Sequence, residues 1–443
     1  SEIKVFSTII HPYAFSQCQT STPNGFDLNL HSAQIKFHAF DGCNINNLKI
    51  DAKDQVKFDY DDSHPIDIQI EEQAFYHLNI GTLKVSEEYT IGVSSFAQCT
   101  FGKSIEIKAI EIGRTAFADC TSSGCAITIG NTNIEERAFE NFGTITSLVF
   151  NGEGSSSCTI GPYAFRGTSF NHANTFELVI PSYYTSVGNA DSFVTSDLAD
   201  GSVFAGITTL HPAKLIINCP TIGNRCFEGC TGITNFELNQ GLSRIGSYAF
   251  HNTGLTGPLV LPKSLENINL GAFQGLKGLG QITTYTDSGL EGIGPYAFQG
   301  SSISGTLQIP QGVGIINSYA FESCTSLTSL IFYYKSDLTQ IGQNAFANCN
   351  GLNCYLDIPK SVTTIGRYAF ANCTTLRGHV TIDLGSQVGP YAFIGCGQFD
   401  GSTGYGEVNP IPSPSPDPNT GNTIYIQKIR DEAFRGLDIL TEL

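Results

Sequence analysis

The sequence predicts a repeat solenoid, mostly β, with a parallel sheet along one face and short turns or 3-10 segments opposite. Three observations predict it. Phe204, Phe227, Phe250, Phe273, Phe298, Phe321, Phe346, Phe370 and Phe393 recur 23 to 25 residues apart. Most follow an Ala and, a few residues earlier, an Ile-Gly, as in Ile365-Gly366-Arg367-Tyr368-Ala369-Phe370. Between them lie alternating apolar triplets such as Leu356-Asp357-Ile358. A fixed period of this length marks coils that stack on their neighbours rather than enclose one core.

The Phe position extends upstream through Phe15, Phe40, Phe75, Phe96, Phe117, Phe139 and Phe165, and downstream to Phe434. Residues 1–443 are therefore expected to form a single solenoid of about 17 coils. One Phe per coil should stack on the next into an aromatic spine, and the preceding Ala keeps that corner thin. The Gly of Ile-Gly, at 92, 113, 161, 223, 246, 294, 342, 366 and 389, is expected to supply a turn with positive φ. Triplets such as Leu48-Lys49-Ile50, Leu83-Lys84-Val85, Ile105-Glu106-Ile107 and Leu307-Gln308-Ile309 should lie side by side, outer residues inward and the middle one outward. Insertions are expected at 51–72, which is acidic; at 182–203, which contains Tyr183, Tyr184 and Phe193; and at 397–423. The last holds Pro410, Pro412, Pro414, Pro416 and Pro418 and reads as a protruding loop or linker.

The composite Ile-Gly-x-Tyr-Ala-Phe-x-x-Cys-x-x-Leu, followed by Leu-x-Ile-Pro, resembles the BspA-type, or treponemal-type, leucine-rich repeat. The resemblance covers the chain apart from the insertions. It implies a surface-exposed or secreted protein concerned with adhesion and protein binding, and it brings no catalytic residues.

Composition narrows the function classes. Lys and Arg number 23 against 40 Asp and Glu, a formal charge of -17. That argues against nucleic-acid partners, which need basic surface. No apolar run is long enough to span a bilayer, so no direct membrane insertion is expected. The chain contains no Met, and Ser1 is expected to follow a removed leader. The nine His are scattered without metal spacing, and the acidic stretch Asp59 to Asp62 lacks the pattern of a calcium loop. No cofactor, metal site or catalytic constellation is expected.

Nine of fourteen Cys, at 18, 43, 99, 120, 230, 324, 349, 373 and 396, sit three residues after a spine Phe. Buried thiols are the expectation there, since parallel rungs point the same way. Any disulfide is expected among Cys125, Cys158, Cys219, Cys226 and Cys354. Asn372 heads an acceptor sequon in a coil corner, where glycosylation is not expected.

Two surfaces are candidates for partners. The outward sheet residue changes from Lys49, Lys84 and Glu106 to Val149, Val179 and Ile216, with Val260 and Ile331 beyond Glu237. A contiguous apolar stripe on an exposed sheet would mark a protein partner site. An insertion covering it, or the plain strand preference of β-branched residues, would explain it equally well. The ends supply the second candidate, for head-to-tail assembly; a piece cut from a longer repeat protein would show the same features. Neither carries a polar capping coil. Ile3 and Val5 begin in mid-coil, Leu437, Leu440 and Leu443 stop where a strand is due, and Phe434 to Phe15 across the joined ends keeps a 24-residue phase. The sequence therefore predicts a non-enzymatic, extracellular or cell-surface solenoid. It packs end to end into a fibre or coat, or alternatively acts as an adhesin through its sheet face or loops.

Overall fold

A computed structural model describes residues 2–18, 25–51, 68–152, 157–171, 176–188, 201–333, 335–376, 380–381, 387–396 and 428–429. It divides into two compact units, 1–236 and 237–443. Both are parallel β-solenoids, and the described residues contain no helix of any kind. Of turn and 3-10 geometry, the corners take turns.

The expected aromatic spine is present in each unit. From Phe15 to Phe227 successive rings lie 4.8–5.4 Å apart and within 8° of parallel. From Phe250 to Phe393 the spacing is 5.1–5.3 Å. Rings left to themselves prefer offset or edge-on contact. Here the separation between adjacent parallel strands, about 4.8 Å, imposes face-to-face stacking. Phe434 lies outside the described residues.

Backbone bonds tie the same corner together. The Phe N–H donates to the carbonyl of the residue preceding the next spine Phe: Phe96 to Ala116 (2.8 Å), Phe117 to Ala138 (2.7 Å), Phe346 to Ala369 (2.7 Å). The Phe carbonyl receives two donors in many coils. One is the N–H three residues on, as Cys349 to Phe346 at 3.3 Å. The other is the thiol of the following coil. Cys43, Cys99, Cys120, Cys230, Cys324, Cys349, Cys373 and Cys396 each donate Sγ–H to the preceding spine carbonyl at 2.8–3.2 Å. Thr168 and Ser301 do the same with hydroxyls, at 3.1 and 2.6 Å. The position thus requires a small donor, and sulfur is one solution. None of the fourteen Cys forms a disulfide. The set where any disulfide was expected, Cys125, Cys158, Cys219, Cys226 and Cys354, is likewise unpaired, and the first four are buried as free thiols.

The glycine expectation is corrected as well. The Ile-Gly glycines do not have positive φ. Left-handed residues instead stand two places before and two after the spine Phe, for example Thr115 (φ 55°) and Asp119 (φ 55°) around Phe117, or Tyr368 (φ 58°) and Asn372 (φ 58°) around Phe370. Glycine after the Ile answers a need for close approach. A Cβ on Gly92 would stand 2.5 Å from the Ile70 carbonyl oxygen, and one on Gly366 2.5 Å from the Gln343 nitrogen.

Two columns of strands run along each unit. Ile35, Ile70, Ile91, Ile112, Ile134, Ile160, Val187 and Ile222 pair in unbroken parallel register. Ile245, Ile268, Ile293, Ile316, Ile341, Ile365, Val388 and Ile429 repeat this in the second unit. The triplet column, expected to form the one long sheet, is continuous only from Ile3 through Leu28, Leu48, Leu83, Ile105 and Ile127 to Leu148. In the second unit it falls into pairs, 259 with 282, 307 with 330 and 356 with 380. Proline explains the difference. After the triplets of the first unit, the N–H groups of Asp51, Ser86, Lys108, Gly130 and Asn151 bond back to the preceding coil. Pro262, Pro310 and Pro359 hold that place in the second unit and have no N–H to give.

Two insertions are smaller than expected. Ile70 is fully buried and in register with Ile35 and Ile91, so 68–72 belong to the coil frame. Likewise Tyr184–Val187 pairs with Cys158–Ile160, and Tyr183 and Tyr184 are core residues whose hydroxyls reach the Gly130 and Thr132 carbonyls at 3.5 and 3.2 Å. Residues 52–67, 189–200 and 397–423 lie outside the described residues.

Phe298→Ala, in the middle of the second unit's stack, is expected to cost about 3–5 kcal/mol, read as a lower denaturation midpoint. Phe6→Ala, on a ring 56% exposed, should cost well under 1 kcal/mol by the same measurement.

Candidate interaction surface

The triplet column points its middle residue outward, and in the first unit these residues form one ladder. Asn29, Lys49, Lys84, Glu106, Thr128 and Val149 are successive register partners. Lys84 and Glu106 are ion-paired at 2.7 Å, and Lys49 turns aside to Asp51 at 3.1 Å. The ladder therefore passes from charge through Thr128 to Val149, which is 44% exposed. Val179 and Ile216 are paired with each other in a separate sheet and are both half-buried.

In the second unit the apolar points stand singly among polar partners. Val260 is 44% exposed beside Thr283, and Ile331 is 48% exposed beside Gln308. In the first unit the stripe drawn from sequence runs from Val149, whose strand packs beside Glu177–Ile180, to the paired Val179 and Ile216, while Val260 and Ile331 are separate points in the second unit. Ile3 is exposed and Val5 half-buried on the strand Glu2–Ile10. Leu437, Leu440 and Leu443 lie outside the described residues.

Two surface features were not singled out from sequence. In the second unit, Tyr296 stacks on Tyr319 at 4.8 Å and Tyr368 on Tyr391 at 5.1 Å, with the Arg367 guanidinium over both latter rings. The signal was available in the recurring Tyr-Ala-Phe. In the first unit, a trough of about 1090 Å³ opens where the loops after the triplets are short, lined by Glu87, Lys108, Ile110, Glu111, Asn131 and Asn133 among others. Its depth depends on relative loop lengths, which no local motif encodes. Asn133 is engaged by Thr159, whose N–H and hydroxyl donate to its amide oxygen at 3.0 and 2.7 Å. Neighbouring Glu135 has its acidity weakened by burial and by Glu111 and Glu136.

The thiols are the main nucleophile type buried in the fold, and their setting is unreactive. Burial pushes Cys43, Cys99, Cys125, Cys219, Cys230 and Cys349 up to about 12 from an ordinary 9.0. The thiolate is the attacking species and the metal ligand, so these groups are held in their inert form. Among the described residues no three His, Cys, Asp or Glu converge as a metal site. No helix there is long and apolar enough to cross a membrane.

The family profile of the BspA type leucine rich repeat region matches residues 2–59, 68–190, 200–306, 257–377 and 291–411. The chain belongs to the BspA-type leucine-rich-repeat family. Among solved structures it is similar to a leucine-rich repeat protein from Bacteroides ovatus, at 22% identity and a TM-score of 0.45, covering 71% of this chain and 85% of the other. A leucine rich cell surface protein from Faecalibacterium prausnitzii matches at 20% identity and a TM-score of 0.31, covering 76% and 84%. The pneumococcal vaccine antigen PcpA matches at 17% and 0.32, covering 85% and 79%. A search of curated proteins found no match.

The sign of the thiol linkage sets a pH prediction for this repeat protein. Below pH 9 the thiols are protonated in both folded and unfolded chains. Above it the unfolded chain ionises while the folded chain does not until about pH 12, so the unfolded state gains. Stability measured by urea unfolding should be level with respect to these groups below pH 9 and fall steadily from there upward. An aromatic disulfide reagent at pH 8 should react in the folded state only with exposed Cys18 and half-exposed Cys354 and Cys396.

Proposed function

We propose that this BspA-type repeat protein is a non-enzymatic interaction solenoid, extracellular or displayed at a cell surface, that binds a partner protein through its triplet sheet face. The observation that carries the reading is the outward ladder of the first unit, where ion-paired Lys84 and Glu106 give way through Thr128 to exposed Val149. Family membership supports a protein-binding role. Interior groups are committed to stacking and to coil-to-coil hydrogen bonds, which leaves the surface to supply function. Exposed apolar side chains on an otherwise polar, strongly acidic molecule are where a partner gains most from excluding water.

End-to-end packing into a fibre or coat is the second reading. Exposed Ile3 and Phe6 on the strand Glu2–Ile10 are the apolar residues it would bury.

The test of the first reading is binding to a panel of purified matrix and mucin proteins by surface resonance, comparing the wild-type chain with V149K/I216K. A positive panel member should lose affinity by at least about tenfold, equivalent to about 1.4 kcal/mol, while the thermal midpoint stays within a few degrees. Binding indifferent to V149K/I216K would contradict the sheet-face assignment. For the second reading, Ile3→Lys should abolish any filaments seen by negative-stain microscopy. Persistence of filaments in that variant would contradict it.

A further inference from the structure

The trough of the first unit is a cleft that the sheet-face reading does not use. Its sides follow the coil register. Along one, Lys108, Gly130 and Asn151 succeed one another, each N–H bonding back to the coil before. Along the other, Glu111 is the register partner of Asn133, and the Asn133 amide oxygen accepts from Thr159 at 3.0 and 2.7 Å. The connections 108–110 and 130–132 form the floor, because they are shorter than 86–89 before them and 151–157 after them. All these residues belong to the first unit. The site draws on none of 153–156, which lie outside the described residues.

Two observations make the trough more than a gap between loops. The first is Gly130, which has neither of the reasons for glycine found elsewhere in the fold. Its φ is not left-handed, and a Cβ there would meet only ordinary contacts, the nearest 3.4 Å away at Lys108 Cα. Gly152, at the same trough, differs, since a Cβ on it would stand 2.6 Å from the Asn131 nitrogen. Glycine at 130 therefore leaves space between Lys108 and Asn151 instead of relieving a clash, which suits the close approach of a ligand. The second is that side chains around this space are uncommitted. Among the described residues, those of Lys108, Glu111 and Asn151 make no hydrogen bond or ion pair. Ile110 beside them is 59% exposed.

The lining selects the chemistry of the ligand. Lys108 offers donors, Glu111 acceptors, and the Asn151 amide both side by side. Glu87 and Glu111 set against Lys108 disfavour a phosphate or other polyanion. A peptide adding as a strand needs an open sheet edge, and here Glu111–Ile112 is already paired on both sides, with Thr90–Ile91 and Asn133–Ile134. An uncharged sugar chain meets the remaining requirements. Each of its hydroxyls donates and accepts, and the C–H face of a ring needs an apolar contact, which Ile110 supplies. We propose that Lys108, Ile110, Glu111 and Asn151, around the space left by Gly130, form a binding site for an uncharged oligosaccharide. The lining runs from Glu87 to Asn151, about 14 Å at the strand spacing, which is long enough for more than one sugar ring. This site adds a second binding surface to the protein-contact reading and does not depend on it.

The test is calorimetric titration of the full-length chain with maltohexaose, cellohexaose, chitohexaose and a mannose-rich N-glycan. Hexalysine and a heparin hexasaccharide serve as charged probes. At least one neutral glycan should bind. Binding of a hexaose supports the proposal with a polysaccharide as the source, and binding of the N-glycan alone supports it with a glycoprotein as the source. K108A, E111A and N151A remove side chains that hold no described contact of the fold, so each should melt with wild type. Each should weaken the bound glycan by about tenfold, the loss of one hydrogen-bonding partner. The V149K/I216K variant should bind that glycan as wild type does, so this proposal and the sheet-face reading stand or fall separately. Failure of every neutral glycan to bind at millimolar concentration would overturn the proposal. So would binding that E111A and N151A leave unchanged, or capture of hexalysine or heparin alone.

Discussion

The spine carbonyl is the point on which each coil depends. It lies beside a ring that must stack at the strand spacing, and in many coils it accepts an N–H from its own coil and a thiol or hydroxyl from the next. A buried carbonyl with fewer partners would carry a desolvation cost of about 1–3 kcal/mol, repeated at every coil. The small donor three residues after Phe, the thin Ala before it and the left-handed residues on either side are consequences of closing a corner around that group. The strain of positive φ at residues such as Thr115 and Tyr368 is tolerated because the ladder bonds hold the corner shut.

That constraint also explains which parts of the fold were legible. The Phe period and the Leu-x-Ile triplets showed the solenoid, because one stacking position per coil tolerates little variation. Residues Gly92 and Gly366 were visible but misassigned. Glycine signals either positive φ or close approach, and only the neighbouring coil distinguishes them. The left-handed positions were hidden because Thr, Asp, Tyr, Asn and Arg all occupy them. Tyr183 and Tyr184 looked like insertion residues, since the period breaks nearby, yet they are core pillars. The break in the second unit's triplet column was written in Pro262, Pro310 and Pro359, whose missing N–H matters only once the neighbouring coil is in place.

The candidate surface was legible in part. Alternation along a strand assigns an outward residue, and Lys49, Lys84, Glu106 and Val149 stand where alternation puts them, in one ladder. Contiguity between coils is a matter of register and sheet breaks, which explains why Val260 and Ile331 prove isolated. A solenoid whose interior is committed to stacking can vary its outer residues freely, and that freedom suits a family built for binding.

Amide hydrogen exchange resolved by mass spectrometry tests the central claim most directly, that the coil corner holds the stack together. The corner amides of interior coils, such as Gly113, Phe117, Gly342 and Phe346, each bonded to an adjacent coil at 2.7–2.8 Å, should be the slowest to exchange. The triplets of the second unit, such as 259–260 and 307–308, should open sooner. Uniform protection across both segments, or slower exchange in the triplets than in the corners, would contradict the account.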